Sequence, residues 1–84
     1  GKARVPARCA AYVARRTDRS NRWRLLVGHC DAPGDGEALL AALRTRLDVA
    51  EGWLVETGSA VGAHAGPGAL VVPSQYLEVV VTRR

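Results

Sequence analysis

Residues 5–17 place Val5, Cys9, Tyr12 and Val13 at helical spacing along one apolar face, with Arg8, Arg15 and Arg16 falling off it. Pro6 suits the first turn of that helix, where a missing N–H leaves nothing unsatisfied. The polar cluster Thr17-Asp18-Arg19-Ser20-Asn21 then breaks the period and predicts a loop. Trp23–His29 is a short apolar run bounded by turn residues, the pattern of a buried strand. After the punctuated stretch Cys30–Gly36, residues 37–47 set Leu39, Leu40, Leu43 and Leu47 on one side of a second helix. Asp35 is the expected N-cap, with Glu37 in the first turn and Arg44 and Arg46 near the C-terminal end, where the helix dipole favours each charge.

Val49–Gly52 reads as a turn and Trp53–Thr57 as a second strand, with the facing of its side chains left ambiguous. Strand, helix and strand in succession make a βαβ unit, which predicts a parallel pair joined by a right-handed crossover. A Gly-rich loop follows over Gly58–Gly68, with room for one helical turn before His64. A third strand starts at Leu70–Val72 and is interrupted by Pro73, which predicts an edge, a bulge or a break. Tyr76–Thr82 is β-branched and free of Gly and Pro, the mark of a fourth strand. The expected class is α+β (or α/β): two helices packed on a small mixed β-sheet with one right-handed βαβ unit. Residues 1–84 form a single domain, which this reading takes as a partial one.

Composition narrows what such a domain does. With no Phe or Met, two Trp and two Tyr, the core is built from Leu, Val and Ala, so the buried area per residue is modest. The net charge of +4 raises nucleic acid as a partner, but the cations crowd the first third and no aromatic platform is interleaved with them. No nucleic-acid partner is expected. Cys9 and Cys30 match neither a zinc spacing nor a Cys-x-x-Cys pair, and reduced thiols are the expectation. No apolar run reaches the ~20 residues of a membrane span, and the cytoplasm is the default location.

The candidate chemistry gathers at Ala60–Leu70. His64 sits among Gly62, Ala63, Ala65, Gly66 and Gly68, with Pro67 stiffening the bend. Small neighbours leave space for a ligand and expose backbone groups, and an imidazole offers an N–H to a carboxylate. No acid, base or nucleophile lies near His64 in sequence, so the reading is a binding site and not an enzyme, with no metal and no cofactor. His29 at a strand end reads as a surface or partly buried histidine, and Asp31 and Asp35 as capping residues. Gly34-x-Gly36 lacks the remaining residues of a phosphate loop.

The stretch Val61-Gly62-Ala63-His64-Ala65-Gly66-Pro67-Gly68-Ala69-Leu70 resembles the signature near the C-terminus of the DegV family: apolar, Gly, small, His, x, Gly-Pro-Gly-Ala-Leu. Gly1-Lys2-Ala3-Arg4, Leu25–His29, Asp35–Leu47 and Leu54–Gly58 are similar to further family segments in the same order, so the resemblance covers residues 1–72. It implies a fatty-acid-binding protein whose His64 contacts the ligand's carboxyl group. It further implies presentation of that carboxylate to a partner fatty acid kinase subunit for phosphorylation. Arg4 matches the family arginine, with partner docking as its weak role. The hydroxyl residues that complete the carboxyl contact belong to an N-terminal domain with no counterpart in this sequence. Three origins stand open: a fragment of a longer protein, a diverged small protein, or a leading Gly left from expression. The alternative function is a small protein-interaction domain that keeps the fold without lipid. Self-association through exposed strand edges is expected, with Tyr76–Thr82 as the edge that pairs.

Overall fold

The computed structural model describes residues 5–56, 69–73 and 76–83. Six elements follow in order: α1 (Val5–Arg15), β1 (Arg22–His29), α2 (Pro33–Arg46), β2 (Asp48–Glu56), β3 (Leu70–Pro73) and β4 (Leu77–Arg83). The strands form one mixed sheet in the order β2-β1-β4-β3. β1 runs parallel to β2, and β4 lies antiparallel to both β1 and β3. The expected α+β class and its parallel pair are what the structure shows.

Alternation along β1 and β4 sends Leu25 and Val27 to the same side as Leu77, Val79 and Val81. These side chains join Cys9, Ala10 and Val13 of α1 and Leu39, Leu43 and Leu47 of the α2 segment in one apolar cluster. α1 packs against α2, and α2 against β1 and β2. Val13, Leu25, Leu39 and Leu43 are fully buried, so the Leu-Val-Ala core closes without a large aromatic at its centre. α1 ends where the buried Thr17 donates its hydroxyl to the Val13 carbonyl at 2.7 Å. Beyond it, the Asp18 carboxylate accepts from the Ser20 N–H at 2.8 Å and the Asn21 side chain at 3.0 Å, shaping the loop into β1.

Three expectations need correction. Asp35 is not the N-cap: α2 opens at Pro33 behind Ala32, with no side-chain cap. Proline needs no partner for a missing N–H, so the helix starts earlier, and Asp35, rather than Glu37, is the acidic residue of the first turn. Val49–Gly52 is not a turn: β2 begins at Asp48, directly after Leu47. Gly52 is tolerated inside the strand because the Leu40 methyl and the Arg44 guanidinium lie 2.9 Å from where its Cβ would be. A register shift after Trp23, whose partner is Val49 while Arg24 faces Glu51, leaves Ala50 as the bulged residue. Third, Tyr76–Thr82 is not an edge: β4 lies between β1 and β3. Its consecutive Val79, Val80 and Val81 are all buried, with Val79 and Val81 in the core cluster. Pro73 does mark an edge, as the last residue of β3.

Candidate ligand groove between α1 and β3

α1 carries two stripes about a third of a turn apart. Pro6, Ala10, Val13 and Cys9 face the core. Val5, Arg8 and Tyr12 lie on the neighbouring arc, with Cys9 shared between the two and Arg16 in the turn that follows the helix. This second arc and the four residues of β3 enclose a groove of about 570 Å³. Val5, Cys9, Leu70, Val71 and Val72 supply apolar wall, while Arg8 and Arg16 supply positive charge. Among the described residues, no acidic side chain lines it.

Tyr12 is 40% exposed, so it belongs to the groove wall and not to the core face that periodicity assigns it. The Arg16 guanidinium stacks on its ring, 3.5 Å from the centroid. That contact holds the cation against the ring at the groove wall. Burial pushes the Cys9 thiol above its ordinary pKa, so at neutral pH it is a small uncharged wall residue. An apolar trough with a positioned guanidinium can hold an elongated apolar molecule that carries an anionic end.

His64 and its small neighbours Gly62, Ala63, Ala65, Gly66 and Gly68 lie outside the described residues, as do Arg4 and the end of the expected second strand at Thr57. In chain order, α1 opens one residue after Arg4 and β3 opens two residues after Gly68. Sequence reasoning set Arg8 and Arg16 aside as off-face charges. The signal available was the 8-12-16 spacing, which sets two arginines around one tyrosine.

The other polar candidates hold structure. His29 is buried and its Nδ1 accepts the Ala32 N–H at 3.0 Å, which ties β1 to the start of α2. Asp31 adopts a left-handed backbone with φ of 52°, a conformation that aspartate tolerates at a turn. Asp35 accepts a 2.6 Å hydrogen bond from the Tyr76 hydroxyl, which pushes the Tyr76 pKa up. Among the described residues, no group of His, Cys, Asp and Glu is placed to hold a metal ion, and no helix is long and apolar enough to cross a membrane. Cys9 is a buried free thiol and Cys30 an exposed one.

No family model matches the chain, and neither a curated protein nor a solved structure matches it.

Proposed function

We propose that this chain is a binding module for long-chain fatty acids, with the acyl tail laid along the α1–β3 groove. The observation that carries the reading is the groove itself. It offers a volume of about 570 Å³, apolar side chains from two elements, and two arginines with no carboxylate among the described lining residues. A fatty acid has the complementary form, an apolar chain ending in one negative charge. The Gly-Pro-Gly segment and His64 precede β3 directly in sequence, and their resemblance to the DegV signature adds the imidazole as a second carboxylate contact. On the same reading, the held carboxylate is what a partner kinase phosphorylates, and this chain performs no chemistry of its own.

Titration of palmitate into the purified chain, followed by displacement of a fluorescent acyl probe, tests the proposal. Arg16→Gln removes a charge-assisted contact worth about 1.5–3 kcal/mol, so affinity falls ten- to a hundredfold. Palmitoyl alcohol, which has the tail without the charge, binds wild type and Arg16→Gln alike. Absence of palmitate binding, or equal palmitate affinity in both proteins, overturns the reading. The protein-interaction alternative is favoured by a separate observation at the opposite edge of the sheet, where Trp53 stands 47% exposed on β2.

A further inference from the structure

We infer that β2 is a self-pairing edge: two copies of this chain join antiparallel through β2, across a twofold axis at Trp53. The sheet has two outer strands, and they are unlike. β3 is four residues long and ends in proline, the usual means of blunting an edge. β2 is nine residues long, contains neither Pro nor Lys, and is bulged only near its start, at Ala50. Among the described residues, β1 is the only strand that pairs with it. The regular ladder Glu51–Glu56 therefore presents backbone donors and acceptors outward beside the most exposed large apolar side chain among the described residues, Trp53.

Charge selects the occupant and the register. In a twofold antiparallel pair, one residue faces its own copy and the others pair symmetrically about it. Centring on Glu51 opposes two carboxylates directly. Centring on Gly52 opposes Asp48 with Glu56 at both ends, again like against like. Centring on Trp53 opposes Glu51 with Val55 and Gly52 with Leu54, and it stacks the two indoles at the middle. No like charges meet within Ala50–Glu56, and Glu51 keeps its own partner, Arg24, at 3.7 Å within the copy. Moving the centre outward to Leu54 shortens the pairing by two residues on each strand. The second copy is thus the occupant that satisfies the exposed ladder, the exposed Trp53 and the acidic ends together. The product is a continuous eight-stranded sheet.

One strand pair is smaller than the ~1,200 Å² of a standard interface, so the dimer forms weakly, over about 10 µM to 1 mM. Sedimentation equilibrium over that range reads it directly. Trp53→Lys changes an exposed side chain and places two ammonium groups opposite one another. It leaves the thermal transition in place and the protein monomeric at 1 mM. Register is read by disulfide trapping in a Cys30→Ser background, where Cys9 is buried. Trp53→Cys links to itself under mild oxidation. Glu51→Cys does not link to itself, but it links to Val55→Cys when the two are mixed. A wild-type monomer at 1 mM overturns the inference, as does a dimer that survives Trp53→Lys. Self-linking of Glu51→Cys as fast as that of Trp53→Cys overturns the register.

Discussion

Helix α2 sits close enough to the sheet that one methyl group decides how its first turn packs. A Cβ added at Gly36 would lie 2.5 Å from Leu54 Cδ1 and 3.5 Å from His29 Cβ. The second distance is ordinary contact, and the first is about 1 Å too short. Gly36→Ala therefore has two opposed effects. Alanine in a helix is favoured over glycine by up to about 1 kcal/mol. Overpacking costs about 1–3 kcal/mol, and the lower half applies because the obstructing atom is the tip of a half-buried leucine. The net expectation is a destabilisation of up to about 1 kcal/mol, or a fall in Tm of up to about 4–8 °C for a domain of this size. In a Leu54→Ala background the obstruction is gone, and Gly36→Ala stabilises by up to about 1 kcal/mol. The two backgrounds differ by about 1–2 kcal/mol, the overpacking cost alone, a coupling above the scatter of additive sites. Urea denaturation of the four proteins measures it, with unchanged m-values showing that the transition stays two-state. Equal stabilisation by Gly36→Ala in both backgrounds would refute the close approach of α2 to β2.

Three further outcomes are expected. Thr17→Val deletes the hydroxyl that donates to Val13 while keeping the side chain's shape; the Val13 carbonyl retains the Arg16 N–H at 3.1 Å. The loss in urea titration is then about 0.5–1.5 kcal/mol, and no loss would deny the hydroxyl a part in ending α1. Asp18 is held below its ordinary value of 3.8, chiefly by the Ser20 backbone N–H. A lowered carboxyl pKa adds stability above the ordinary value and loses it as pH falls through the folded value. Wild type is therefore more stable than Asp18→Asn at pH 6, and the gap closes below about pH 4; a gap that widens on acidification contradicts the assignment. Iodoacetamide labels the exposed Cys30 in the native state, whereas Cys9, buried and with a raised pKa, is labelled only after unfolding. Equal labelling rates would place Cys9 at the surface.

Local pattern located most elements, because periodicity reports which face each segment buries. Leu39, Leu43 and Leu47 are buried as their spacing requires, and Leu25 and Val27 line the core from a strand whose partner at Leu54 was also anticipated. The errors sit where a residue answers to something distant in sequence. Gly52 looks like a turn residue until Leu40 and Arg44 are laid over it. Asp35 sits inside the first turn because Pro33 opens α2, and its carboxylate serves Tyr76, 41 residues away. The place of β4 depends on pairings at both its sides, and no local window contains them. One local trace did exist. Pro73 keeps β3 out of the middle of the sheet, which leaves the Gly- and Pro-free run Val79-Val80-Val81 for an inner strand.

The groove was hidden for a different reason. Helical periodicity sorts residues into apolar and charged faces, and a binding arc that mixes the two falls between them. Helical spacing groups Tyr12 with Val5, Cys9 and Val13 and leaves Arg8 and Arg16 off that face. Arg8 and Tyr12 share one helical arc, Arg16 follows in the next turn, and all three line the groove with the edge strand β3. The core needs only Pro6, Cys9, Ala10 and Val13 from α1, a narrow stripe of small residues that lets the helix lie close to its neighbours. Each large residue left off that stripe must then stand at its border. The four residues of β3 form one wall of the groove, and Tyr12 with its stacked Arg16 belongs to the other. The small-residue core stripe and the short edge strand are therefore jointly the cause of the groove. Lengthening either, by Ala10→Leu in the stripe or by replacing Pro73 with valine at the strand end, acts on its volume before it acts on its charge.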